Sequence, residues 1–163
     1  MKEHPIIFSS EMVKAILCGH KTQTRRVIKK HSIPLGVEDC LTLCPYGQVG
    51  DRLWCRETWY SSPDKKEMYG YVADKDIPHG KAYRILPSIH MPRWASRITL
   101  EITEIRVERI REISITDIIA EGFYPHPGWP NQMFDKYWDS INAQRGYSWE
   151  SNPWVWVINF KKV

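Results

Sequence analysis

Apolar residues recur along the chain at two spacings, which divide it into strands and short helices. Ile6 to Phe8 is a short apolar run that predicts a strand. Ser9 or Ser10 then caps a helix carrying Met12, Val13, Ile16 and Leu17 on one face, and Gly19 ends it. His20 to Arg26 is a dense polar segment where the chain leaves that helix, and it reads as a loop, the kind of place where function concentrates. Arg52 to Trp59 reads as one strand of mixed polarity, entered through Val49-Gly50-Asp51. Tyr69 to Ala73 and Ala82 to Leu86 predict two further strands around a turn at Pro78, His79 and Gly80. From Arg97 to Ile110, Ile98, Leu100 and Ile102 alternate with polar residues before the phase slips to Ile105 and Val107. A slip of one residue in a period-two pattern predicts a bulge or bend.

Ser114 with Asp117 resembles a capping box built with the shorter acid, opening a short helix over Ile115, Ile118 and Ile119 that closes at Gly122. A loop containing Pro125, Pro127, Gly128 and Pro130 leads to a helix over Gln132 to Gln144, with Phe134, Tyr137, Trp138 and Ile141 on one face. Trp154 to Phe160 is apolar on both faces, as a buried closing strand would be. Strands interrupted by a few short helices predict an α+β chain, a small barrel-like sheet of five or six strands with flanking helices.

Composition narrows the class. A chain of 163 residues, 42% hydrophobic with mean hydropathy −0.46, is expected to fold as a single water-soluble domain over residues 1–163. Its longest apolar run, Trp154 to Ile158, is far short of the roughly 20 residues of a membrane span, so no membrane partner is expected. Ile6 to Phe8 is too brief for a signal peptide, so the expected compartment is the cytoplasm, with Cys18, Cys40, Cys44 and Cys55 reduced. Cys40 and Cys44, with His31 nearby, have a spacing that suits zinc, but a second close pair is missing, and no metal or cofactor is expected.

The net charge of +4 is small, but its layout is not even. Met12 to Val37 holds six Lys or Arg and no acid, and Ile77 to Arg97 holds four and no acid. The rest of the chain is net negative, so the expectation is a confined basic surface rather than one that coats long nucleic acid.

Both basic stretches contain candidate chemistry. Gly19-His20-Lys21-Thr22-Gln23-Thr24-Arg25-Arg26 packs three cations and two hydroxyls behind a helix-ending glycine. Arg grips phosphate bidentately, Lys is a movable point charge and Thr both donates and accepts, although a solvated basic turn has the same letters. The second stretch, His90-Met91-Pro92-Arg93-Trp94-Ala95-Ser96-Arg97, flanks a tryptophan with two arginines, a combination suited to stacking a base and meeting its phosphate. For Trp138, Trp154 and Trp156 the periodicity favours packing, whereas Trp59, Tyr60 and Trp129 are open.

The pattern Gly19-x-Lys21-x-x-Thr24-x-Arg26 resembles the signature of the ASCH domain family, whose fold is similar to the RNA-binding PUA domains. Val49-Gly50-Asp51-Arg52-Leu53-Trp54-Cys55-Arg56-Glu57 and Ile118-Ile119-Ala120-Glu121-Gly122 resemble two further segments of the larger ASCH-like proteins, in the same order. The resemblance implies a PUA-like β-barrel with a polar cleft under the signature loop, binding RNA or a modified nucleoside. It also implies an alternative, since some small members cleave the acetyl amide of N4-acetylcytidine with a Lys, a Thr and a Glu, and others have been described as ribonucleases. Carried over, the catalytic group is Lys21, Thr24 and Glu121, with Glu57 as the other candidate acid. Arg25, Arg26, Arg93, Trp94, Arg97 and Glu57 are then the expected ligand-binding residues. In chemical terms, a desolvated lysine beside arginines has a lowered pKa and accepts the proton of a threonine hydroxyl, and a carboxylic acid delivers one to the leaving amine. On such a loop Lys21 touches no core, so Lys21→Ala is expected to remove binding and spare the fold. A protein-interaction module with a basic face is the remaining alternative.

Overall fold

In the computed structural model the described residues are 1–29, 43–75, 77–123 and 134–163. Among these residues eight strands form two sheets. The larger has the order β1 (Glu3–Ile7), β3 (Arg52–Arg56), β7 (Thr99–Arg109), β8 (Trp154–Lys162) and β2 (Gln23–Val27). Only the β1–β3 pairing in it is parallel. The smaller places β4 (Trp59–Ser61) between β5 (Met68–Tyr71) and β6 (Arg84–Leu86).

The large sheet curls around one apolar core. Ile6, Leu53, Cys55, Leu100, Ile102, Trp156, Ile158 and Phe160 point inward from four of its strands, and α1 (Ser10–Leu17) adds Met12, Val13 and Ile16. The expected phase slip in β7 is a register shift between Ile102 and Glu104, which bends this longest strand. β8 carries buried residues on both faces because its second face, through Val155 and Val157, meets α2 (Ile115–Ala120) and α3 (Phe134–Asn142) at Ile118, Phe134 and Trp138. The α+β reading and the both-faces burial of β8 therefore hold.

Caps behave as the letters suggest, with one exception. The Ser9 side chain accepts from the Met12 amide at the start of α1, and Gly19 takes a φ of 76° just past its end. Ser114 accepts from the Asp117 amide, but Asp117 does not complete a capping box, because its carboxylate is drawn into ion pairs beneath the sheet.

Three expected elements differ. Arg52 to Trp59 is two strands in different sheets, divided at Glu57 and Thr58. The strands flanking Pro78 to Gly80 do not pair with each other, since β4 lies between them. The third difference matters most: Gln23 to Val27 is a strand at the sheet edge, not a loop. Its polar side chains hide the strand from a pattern search, because ion pairs rather than apolar contacts bury one of its faces. The proline loop, Gln132, Trp129, His31 and Cys40 lie outside the described residues. Cys44 is a buried thiol whose pKa is pushed up by that burial, and among the described residues no three His, Cys, Asp or Glu side chains gather as a metal site. Among the same residues no helix is long and apolar enough to cross a membrane.

Candidate functional site

β1 and β2 are the two edges of the large sheet, and the curl brings them close enough for the Arg26 guanidinium to donate to the Ile7 carbonyl at 2.7 Å. A cavity of about 740 Å³ opens at this seam. Phe8, Met12 and Trp156 line it from the core side, and Tyr137, Trp138 and Asn142 of α3 line it from the other. Lys21, Thr24 and Glu121 all belong to this lining, and of the three Lys21 and Glu121 are in direct contact.

Chain geometry explains how. The Lys21 and Glu121 backbones form an isolated antiparallel bridge, which sets the end of α2 against the start of β2. Gly122 makes this approach feasible, since its φ is 95° and a Cβ there would sit 3.1 Å from the Ala15 Cβ and 3.2 Å from the Lys21 Cβ. The Lys21 ammonium then donates to three acceptors: the Gln23 carbonyl at 2.7 Å, the Glu121 carbonyl at 2.8 Å and Glu121 Oε2 at 2.9 Å. Lys21 is 3% exposed and Glu121 5%. Burial, and secondarily the charges of Arg26 and Arg25, push the lysine below its ordinary pKa against the opposing pull of Glu121. Thr24 is buried beside them, and its hydroxyl has no hydrogen-bond partner among the described residues.

Arg25 does something other than what its letter in the basic cluster suggests. Its guanidinium is buried and bonded to Glu121 Oε1 at 3.2 Å, Glu108 Oε2 at 3.1 Å, Asp117 Oδ2 at 3.0 Å and the Gln23 side chain. Arg106 neutralises Glu108 and Asp117 from the outer side. Burial raises the Asp117 pKa, but the Gln23 amide and the two arginines outweigh it and hold the carboxyl below the usual range. Arg25 thus orients Glu121 from behind, while each Glu121 oxygen is held by a different cation. Gln23, Glu108 and Asp117 are parts of the site that no local pattern marks, because the residues come from β2, β7 and α2.

The edge itself adds polar groups. The Phe160 amide donates to the Thr22 carbonyl and the Ile28 amide to the Trp154 carbonyl, both at 2.9 Å, so even-numbered residues of β2 face β8. The backbone groups of Gln23, Arg25 and Val27 therefore point away from the sheet. Lys21 covers the Gln23 carbonyl, and the amides and carbonyls of Arg25 and Val27 find no backbone partner among the described residues.

The second basic stretch is elsewhere and largely neutralised. Arg93 forms a bidentate pair with Glu3 on the surface, at 2.8 and 3.0 Å. Arg97 bonds Glu57 at 2.9 and 3.1 Å and Asp74 at 2.7 and 2.9 Å, and lies 3.8 Å from the Tyr71 ring centroid. Glu57 is 1% exposed, and burial lifts its carboxyl pKa while Arg97 opposes the lift. None of Arg93, Trp94, Arg97 or Glu57 lines the cavity. Trp94 is exposed and meets the buried Trp59 edge-on. The structure therefore divides the expected site residues into one group at the seam and another at the smaller sheet.

Two solved structures share this architecture across the whole chain. One is an ASCH domain from Lactobacillus crispatus JV V101, with TM-score 0.53 and 12% identity, covering 99% of this chain and 79% of that one. The other is protein EF3133 of Enterococcus faecalis V583, a DUF984 protein, with TM-score 0.54 and 12% identity, covering 100% of this chain and 81% of that one. The fold is that of an ASCH domain. No protein-family model and no curated protein matches the sequence. Within this fold the three motif segments contribute the edge strand β2, the inner strand β3 that pairs with the opposite edge β1, and the helix end that sets Glu121 against Lys21.

Proposed function

We propose that the seam cavity binds a nucleoside, free or as an unstacked residue of a short RNA. The observation that carries this reading is one buried polar floor, Lys21, Glu121 and Thr24, set between aromatic walls that include Phe8 and Tyr137. A base requires both features: flat apolar surface for its rings and a few fixed donors and acceptors for its edge. The outward backbone groups of Arg25 and Val27, without a backbone partner among the described residues, supply further donors and acceptors along one wall. The test is direct titration of nucleosides and short RNAs into the protein, read by tryptophan fluorescence or calorimetry. Saturable binding that disappears in a Thr24→Val, Tyr137→Ala double variant supports the reading, and no response to any of them refutes it.

A second reading is favoured by Thr24 alone. A threonine hydroxyl in the cavity lining that has no hydrogen-bond partner among the described residues, in the same lining as a lysine whose pKa is lowered, fits a nucleophile and its base in an amidohydrolase acting on N4-acylated cytidine. In that sequence Thr24 Oγ1 attacks the acyl carbon, its proton passes to Lys21 in its neutral form, and the departing amine takes a proton from the Lys21–Glu121 pair. Water then cleaves the Thr24 ester. Release of cytidine from N4-acetylcytidine checks it, and absence of turnover by folded protein leaves binding as the function.

A further inference from the structure

The charges around the seam do not balance, and the imbalance lies at its rim. Glu121 is the one carboxylate among the described residues lining the cavity, and Lys21 and Arg25 already neutralise it. Three other cations line the same cavity: Arg26 on β2, Lys29 two residues beyond that strand, and Arg145 beyond the end of α3. None of the three forms an ion pair among the described residues.

Arg26 is the most constrained of them. It donates one bond, to the Ile7 carbonyl, and its cation lies 5.2 Å from the Phe8 ring centroid and 5.9 Å from that of Tyr46. Its Nε–H has no partner. A guanidinium held between two rings keeps its charge but is shielded from water, which favours a bound anion more than a freely solvated arginine does. Lys29 and Arg145 are exposed, so they reach a group at the cavity mouth without disturbing the core. By contrast Arg93, Arg97 and Arg106 all meet carboxylates at home.

We infer that Arg26, Lys29 and Arg145 form a phosphate subsite at the mouth of the cavity. The ligand is then a phosphorylated nucleoside, with its base inside the seam and its phosphate on the rim. This rests on the nucleoside reading above and adds to it the substrate class. The phosphate has two sources, a free nucleotide with a monoester or an RNA strand with a diester. The subsite also assigns the signature arginine, Arg26, to the ligand's anion, while the adjacent Arg25 serves the protein's own Glu121.

The experiment compares the four ribonucleosides, their 5′- and 3′-monophosphates, the matching dinucleoside monophosphates and inorganic phosphate. Each is titrated into the wild-type protein and a Lys29→Gln, Arg145→Gln double variant, whose changes touch only exposed side chains. At least one phosphorylated probe should bind about tenfold or more tightly than its nucleoside, and the double variant should shrink that ratio to within about twofold while leaving nucleoside affinity intact. Raising salt should weaken the phosphorylated probes selectively. A preference for dinucleoside monophosphates marks an RNA strand as the source, and one for monoesters a free nucleotide. Nucleosides and phosphates binding alike, a ratio that survives in the double variant, or no binding of any phosphorylated probe overturns the subsite. Phosphorylated probes that bind through Lys29 and Arg145 with no preference among bases, when the nucleosides do not bind, keep the subsite and remove the nucleoside reading instead.

Discussion

Among the described residues two glutamates are buried against cations, and of the two it is Glu121 that lines the seam cavity. Glu121 is held by Lys21 and Arg25 at the seam between β1 and β2, in the same cavity lining as Thr24. Glu57 is held by Arg97 alone, which is shared with Asp74 and covered by Tyr71 under the smaller sheet. Both pairs arise from segments that look chemically promising as letters. The difference is what else is within reach. Around Glu121 there are polar side chains and open volume, whereas around Glu57 the same charge types close on one another at a strand junction. A buried ion pair is therefore a sign of function only where it borders unfilled space.

The largest expected effect breaks the seam pair. Lys21→Ala leaves Glu121 buried without its nearest cation and should destabilise the protein by about 3–5 kcal/mol. This corrects the expectation that Lys21 touches no core. Urea denaturation checks it, and adding Glu121→Gln to Lys21→Met should restore part of the loss while ligand binding stays absent. Arg97→Ala should also destabilise, but less, because Arg97 is partly exposed, and should leave ligand affinity unchanged. Equal loss of binding in both variants would erase the distinction between the two pairs.

Next in size is a difference in the sign of the pH response. Lys21 is held below the ordinary lysine value of 10.5, so between its folded pKa and 10.5 the unfolded chain carries more protons on it. Stability contributed at this residue therefore rises with pH across that window, and Lys21→Met should abolish the rise. Glu57 is held above the ordinary 4.5, so between 4.5 and its folded pKa the folded chain carries more protons, and stability falls as pH rises. Glu57→Gln should flatten that fall. Melting curves at a series of pH values read both.

Thr24→Val should be smaller in stability and sharper in function. The hydroxyl has no hydrogen-bond partner among the described residues and valine suits a strand, so stability should change by less than about 1 kcal/mol, while ligand affinity or amide turnover drops by about tenfold. The smallest effect belongs to Arg93→Ala, which removes a surface contact with Glu3 distant from the cavity lining and should leave the denaturation curve and ligand affinity unaltered.

Local signals carried most of the framework. The Ser9 cap, the Gly19 stop, the bulge in β7 and the two buried faces of β8 follow from spacing and residue type, because each is decided within a few residues. That Lys21, Thr24 and Glu121 line one cavity was anticipated through the resemblance rather than through spacing. Tertiary structure alone decided that Gln23 to Val27 is a strand, since its polar face is stable only where Glu108, Asp117 and Glu121 arrive from two distant elements to neutralise it. It likewise decided the roles of neighbouring arginines. Strand alternation sends the Arg25 side chain to one face, among carboxylates, and that of Arg26 to the other, beside the Ile7 carbonyl and the Phe8 ring, so two identical side chains one residue apart work in different electrostatic surroundings. Charge counted along the chain cannot make that separation, because pairing is set by distance in space.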